Sequence, residues 1–271
     1  MNIVMKKIFL SILVLYCFTP SFSQRRLEKL WESDTVYMKG PESATFDPTS
    51  KMIYVSSMNN GNIVLMDLKG KVVKSDWVTG LTSNKGIGFH KGLLYTAETN
   101  TIAVIDMKTA TLVKRIPVEG AIMLNDLEVD AKGIVYVSDT RAGKVYRVEG
   151  DKPSVYLTDI SGANGLMAVG TDLYVAGSTT FQKVSANKEI TKIGEGYEAG
   201  LDGIVLLSPT EFILSNYRGM LYYVEANGNK QVLQDTRDIK FMANDISYDS
   251  KSKTLFVPSF SSNKVTAYAV K

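Results

Sequence analysis

Along most of the chain, apolar and polar residues alternate for four to six positions, stop at a turn rich in Gly, Pro or Asp, and begin again. Period-two alternation puts successive side chains on opposite faces of a strand, so the pattern predicts β-structure throughout. It also recurs on a longer scale, near forty residues. Six short strands open with a polar residue followed two and four positions later by apolar ones, at Glu42, Lys85, Asn125, Asn164, Asp202 and Asn244. A turn follows each, marked for example by Asp47-Pro48, Lys91-Gly92 and Lys132-Gly133, and then a β-branched and aromatic second strand containing Tyr54, Tyr95, Tyr136, Tyr174, Ile213 or Phe256. Third strands are legible in all six repeats and fourth strands in five.

Two irregularities decide the architecture. The sixth repeat runs out at Lys271 after its third strand, and the segment from Arg25 to Val36 precedes the first repeat without one of its own. If the N-terminal strand completes the last sheet, both facts are explained and no edge is left open. A six-bladed β-propeller closed by its N-terminal strand is therefore predicted; an open solenoid would leave the fragment without a role. In such a ring the six polar residues surround one mouth of the central channel, and the loops joining second to third strands return to the same face. Those loops carry Arg141, Tyr217 and Arg218, which join Lys85, Asn125 and Asn244 as candidate substrate contacts. The second-strand tyrosines fall at blade-packing positions.

Charge and composition narrow the chemistry. Thirty-one basic residues stand against 28 acidic ones in 271, with no block of like charge, so nucleic acid is not an expected partner. Lys6 and Lys7, an apolar run from Ile8 to Phe18, and Ser21-Phe22-Ser23 form an export signal over residues 1–23. The run is short for a bilayer span and Pro20 closes it. The expected mature chain starts at Gln24 as a single periplasmic or secreted domain, monomeric and free of the membrane. Cys17, the only cysteine, leaves with the signal, and His90, the only histidine, falls at a turn on the far side of its blade. Thiolate sites, multi-histidine sites and a Ser-His-Asp triad are excluded by inventory. Two carboxylates and several amide oxygens remain at the mouth, hard donors suited to calcium, magnesium, manganese or an open zinc site.

Gly40-Pro41-Glu42, Asn125-Asp126, Asn164-Gly165-Leu166 and Asp202-Gly203-Ile204, in this blade order, resemble the gluconolactonase and senescence-marker-protein-30 group of six-bladed propellers, over essentially the whole of residues 24–271. The resemblance implies a lactone or ester hydrolase holding one divalent cation, calcium first among the candidates. The implied ligands are Glu42, Asn164 and Asp202, with Asn125 beside the metal or on the substrate, a small molecule such as a sugar lactone or sugar acid. Asp202 is the expected catalytic residue, because a carboxylate beside the attacking water can take its proton. Two positions depart from the group's pattern: Lys85 brings an ammonium into the ring, and Met123 stands where an arginine is common. They keep open a second reading, a non-catalytic propeller that binds a carbohydrate, small anion or protein at the mouth with Lys85 in place of the metal.

Overall fold

The computed structural model describes residues 24–271; the expected export signal, residues 1–23, lies outside the described residues. The chain enters through β1 (Leu27–Glu32). Blade 1 is β2 (Pro41–Asp47), β3 (Met52–Ser57), β4 (Asn62–Met66) and β5 (Val72–Val78). Blade 2 is β6 (Ile87–His90), β7 (Leu93–Ala97), β8 (Thr101–Asp106) and β9 (Thr111–Pro117). Blade 3 is β10 (Leu124–Val129), β11 (Val135–Asp139), β12 (Lys144–Glu149) and β13 (Lys152–Leu157). Blade 4 is β14 (Leu166–Val169), β15 (Asp172–Ala176), β16 (Thr180–Val184) and β17 (Ile190–Glu195). Blade 5 is β18 (Leu201–Ser208), β19 (Glu211–Asn216), β20 (Met220–Glu225) and β21 (Lys230–Asp235).

Blade 6 is β22 (Ser247–Asp249), β23 (Thr254–Ser259) and β24 (Lys264–Val270), with β1 as its outer strand. Leu27 lies opposite Val270 and Glu32 opposite Thr266, so the N-terminal segment completes the last sheet. Trp31 reinforces the seam: its indole N–H donates to Leu68 O at 3.0 Å, and its ring tilts against Phe256 at a centroid distance of 6.0 Å.

The core sits between blades. Six clusters of buried side chains each join two adjacent sheets, and the cluster of Met38, Val64 and Phe256 joins blade 6 to blade 1. A fully buried residue of this size is worth about 1.5–3 kcal/mol, so the packing between blades outweighs any single contact at the seam. Tyr54 and Tyr174 are buried and Tyr95 and Tyr136 half-buried, all against these clusters, as expected. Among the described residues no helix is long and apolar enough to cross a membrane.

One local irregularity shapes the channel. In blades 1, 3 and 5 two inner-strand residues stand opposite a single neighbour: Pro41 pairs with Ser57 and Ala44 with Val55, leaving Glu42 and Ser43 together against Ser56. Asn125-Asp126 and Asp202-Gly203 form the same bulge. The second residue of each bulge donates its N–H to a serine on the next strand, Ser43 to Ser56, Asp126 to Ser138 and Gly203 to Ser215, at 2.8–3.0 Å. In blades 2, 4 and 6 the inner strands begin only after the polar residue. The expectation that all six ring residues open a regular strand is corrected for Lys85, Asn164 and Asn244. Their N–H groups still reach the second strand, at Ala97 O, Ala176 O and Pro258 O. A bulge re-aims side chains, and here it breaks the simple alternation where the strands meet the channel.

Candidate functional site

Glu42, Lys85, Asn164, Asp202 and Asn244 are all buried, and Asn125 is half-buried. The loops between second and third strands lie on the same face, because they bond to the residues leading into the inner strands: Met58 N donates to Gly40 O, Thr140 N to Met123 O, and Tyr217 N to Gly200 O.

Asp202 sits among two amides. Its Oδ1 accepts from Asn164 Nδ2 at 3.0 Å and its Oδ2 from Asn244 Nδ2 at 3.5 Å, while Asn164 Nδ2 also reaches Leu201 O at 3.2 Å. With the amide N–H groups so committed, Asn164 Oδ1 has no donor, and neither has Oε2 of Glu42. Asn244 differs, since its Oδ1 accepts from Phe260 N at 3.1 Å. A buried acceptor left unpaired costs about 1–3 kcal/mol, so two at one mouth call for a donor or a cation. Among the described residues no group of three or more Asp, Glu, His or Cys side chains is placed to hold a metal. A cation here would therefore depend on the Asn164 amide oxygen as well as the two carboxylates, and the two orphan oxygens fit that donor set.

Lys85 makes no direct ion pair with the carboxylates, although it feels the charges of Glu42 and Glu98. Its Nζ donates to Ser83 O at 3.2 Å, and among the described residues it has no ion pair within 4 Å. Burial pushes its pKa down, against the opposing pull of the Glu42 and Glu98 charges. Asn125 Nδ2 donates to Thr140 Oγ1 at 3.0 Å. Arg141, Tyr217 and Arg218 are exposed on the rim, where the Arg218 guanidinium lies 5.8 Å from the centre of the Tyr217 ring. Met123 is half-buried, its carbonyl accepting from Thr140 N beside Arg141. Glu98, Asp139 and Asn216, at the roots of the rim loops, turn inward as anchors: Glu98 pairs with Arg115 at 2.7 Å, Asp139 accepts from Ile122 N and Met123 N, and Asn216 donates to Glu198 O. His90 ends β6 at the opposite face, its ring packed over Gly133.

In blades 3 and 6 the residue after the ring position also belongs to the channel, which alternation did not foretell. Asp126 accepts from Leu166 N across the blade boundary at 2.6 Å, and Asp245 accepts from Ser43 Oγ at 2.5 Å. Deeper still, Glu128 joins Asp126 and Asp245 around a cavity of about 220 Å³ at the other end. The Asn-Asp doublets at 125–126 and 244–245 were the available sign. Five carboxyl groups thus line the channel with Lys85, an acidic interior that the ring residues alone understate.

Burial raises all five. Glu42 is pushed up to about 8, with the Asp126 charge adding to burial and Lys85 opposing it. Glu128 rises to about 8 and Asp126 to about 6, both mainly through burial. Asp202 and Asp245 are held well above the usual carboxylate range by burial and by each other's neighbours, with the bonds to Asp202 from Asn164 and Asn244 pulling the other way. Carboxyls that bind protons more tightly when folded stabilise the fold below their unfolded pKa, and that stability is lost as pH rises through the folded value. For Glu42 and Glu128 the window runs from 4.5 to about 8. The melting temperature of the cation-free protein is therefore expected to fall between those limits in calorimetry, and Glu128→Gln, which cannot ionise, should flatten the fall. A parent profile that rises with pH across the window would contradict burial as the cause.

No protein-family model matches the chain. No curated protein matches it either. Solved structures do: a gluconolactonase from Xanthomonas campestris superimposes with a TM-score of 0.74 at 16% identity, over 92% of this chain and 91% of that one. The fold is shared with gluconolactonases. A streptogramin B lyase follows at a TM-score of 0.67 and 10% identity, covering 91% of this chain and 98% of its own. A catalytically inactive His-to-Ala variant of virginiamycin B lyase from Staphylococcus aureus, with quinupristin, gives 0.65 at 11% identity, over 91% and 99%. At these identities the likeness to the gluconolactonase propeller is one of fold.

Proposed function

We propose that the channel mouth binds one divalent cation through Glu42, Asn164 and Asp202, and that the exported protein hydrolyses lactones or related esters there. The observation that carries this reading is the pair of orphaned buried oxygens, Glu42 Oε2 and Asn164 Oδ1, beside the twice-bonded carboxylate of Asp202. Calcium is the first candidate for an all-oxygen donor set of this kind. A cation held there supplies carbonyl polarisation and a more acidic water.

The chain's own residues supply the rest. Asn164 and Asn244 orient Asp202, which takes the proton of the attacking water as its oxygen adds to the carbonyl carbon. The ring C–O bond then breaks, and the proton passes to the departing oxygen, giving a hydroxy acid. Lys85, Asn125, Asn244 and the rim residues Arg141, Tyr217 and Arg218 are the proposed substrate contacts. The lyase alternative is disfavoured: the inactive lyase lacks a histidine, and His90, the only histidine of this chain, belongs to the opposite face.

The non-catalytic reading rests on Lys85 taking the cation's place, and the turn of its ammonium toward Ser83 O weighs against that. Calorimetric titration of chelator-treated protein with calcium, magnesium, manganese and zinc, followed by pH-stat assay of glucono-δ-lactone and γ-butyrolactone, tests both readings. One cation per chain is expected, with Glu42→Gln weakening it by a factor of ten or more and Lys85→Ala strengthening it. Absence of binding and turnover in the parent would remove the hydrolase reading; a cation gained only in Lys85→Ala would establish the lysine as its substitute.

A further inference from the structure

The exposed large hydrophobic residues are not scattered. Each one among the described residues lies either on the outermost strand of a blade or on a loop of the channel-mouth face, where Val36, Tyr37, Ile122, Tyr217 and Ile239 stand. The opposite face carries none of them. Outer strands expose apolar side chains in passing, since there is not enough polar surface to cover a protein. The mouth group needs another account, because loops at a polar site have no structural reason to hold them.

Two aromatic rings connect this group to the reactive carboxylates. Gly200 has a φ of +105° and immediately precedes Leu201-Asp202; a Cβ there would run into the Tyr217 ring. Gly40 has a φ of +61° and stands two residues before Glu42; a Cβ there would lie 2.6 Å from the Phe260 ring. Each ring is thus seated on the backbone that leads into a proposed cation ligand. The loop of residues 236–243 is bonded to the two loops that carry these rings. Thr236 Oγ1 bonds Gly219 O and Phe241 O, both at 2.7 Å, and Ser261 Oγ bonds Lys240 O at 2.8 Å. Held at both ends, the loop presents Ile239, which is 69% exposed. Tyr37, half-exposed on the loop into blade 1, extends the same arc. Lys85 and Arg141 belong to blades 2 and 3, whereas on the side of blades 5 and 6 the apolar surface of Tyr217, Ile239 and Phe260 is interspersed with the exposed charges of Arg218, Arg237, Asp238 and Lys240.

We infer that this site, given the hydrolase reading on which the inference rests, takes lactones or esters that carry an aliphatic or aromatic substituent. The carbonyl goes to Asp202, and the substituent lies along the wall of Tyr217, Ile239 and Phe260. A polyhydroxylated sugar ring gains less there, because hydroxyls laid against Ile239 and the Phe260 ring lose water without gaining partners. Full burial of a methylene is worth about a fourfold gain in affinity, and partial burial on an open wall about twofold.

The test uses the exported chain with γ-lactones from butyrolactone to dodecanolactone, and glucono-δ-lactone beside them. kcat/KM is expected to rise about twofold per methylene over the first several, and Ile239→Ser, a change at an exposed position, is expected to flatten that slope. Turnover without a slope, or with glucono-δ-lactone preferred, overturns the inference and leaves the hydrolase reading standing. If no lactone is turned over, calorimetric binding of the same series decides. Affinity that grows with chain length and flattens in Ile239→Ser upholds the wall while the hydrolase reading falls, and affinity independent of chain length overturns the wall. Flotation with phosphatidylcholine vesicles, lost in Ile239→Ser, would assign the apolar loops to a membrane surface and overturn the inference as well.

Discussion

Asp202→Asn is expected to lower kcat for lactone hydrolysis by about a thousandfold, the range lost when a positioned general base goes. Its cation affinity should fall with it, because a neutral amide replaces a charged ligand beside Glu42. The same substitution is expected to leave the cation-free fold as stable as the parent or more so near neutral pH. Burial and the Glu42 and Asp126 charges all disfavour the ionised form of Asp202, and asparagine removes that charge. One new amide N–H would face the Asn164 or Asn244 amide donor, a penalty of about 1–3 kcal/mol that works against the gain. A pH-stat assay paired with thermal melts separates the two effects. Retention of a tenth or more of parental activity would remove Asp202 from the chemistry, and loss of activity through unfolding would make it a structural residue.

Gly165→Ala is the most damaging single methyl group that can be added near the site. A Cβ at Gly165 would fall inside the carbonyl oxygen of Asp202, with Asp202 C and Ile204 Cγ1 close behind. Both sides of that contact are rigid: Asp202 belongs to β18, and Gly165 O accepts the N–H of Ala176 at 2.8 Å. Since no flexible side chain can give way, destabilisation of roughly 3 kcal/mol or more is expected by urea denaturation, at the upper end for overpacking. Cation affinity should drop as well, because Asn164 is its chain neighbour. Gly80→Ala serves as the comparison. Gly80 has nothing within 4 Å of an added Cβ, so only its φ of +77° opposes the change, at about 1 kcal/mol. A Gly165→Ala protein no less stable than Gly80→Ala would show that the inner strands of blades 4 and 5 do not approach so closely.

The pattern of the chain carried the architecture a long way. Period-two alternation, the forty-residue repeat and the unmatched N-terminal segment together require six sheets and a strand to complete the sixth, and β1 beside β24 supplies it. They also bring Glu42, Asn164, Asp202 and Asn244 to one mouth, and put His90 away from it. These features are local or periodic, and each repeat restates them. Inner-strand starts were less legible in blades 2, 4 and 6, because the irregular pairing at Lys85, Asn164 and Asn244 has little sequence signature beyond a Gly or Asp that follows.

The acidity of the channel lay outside that reading. Alternation assigns Asp126 and Asp245 to the face opposite their ring neighbours, but a bulge turns Asp126 inward, and irregular backbone ahead of β22, bridged to Ser43, does the same for Asp245. Likewise, the order of residues places Lys85 in the ring with Glu42, but that its ammonium bonds Ser83 O while it acts on Glu42 through its charge is decided by the fold. Repeat, strand and mouth follow from residue order, since backbone periodicity decides which side chains share a face. Which carboxyls meet, which oxygens are left without a donor, and which apolar loops border them were decided only when six blades closed around one axis, because burial and charge depend on neighbours that lie up to two hundred residues apart in the chain.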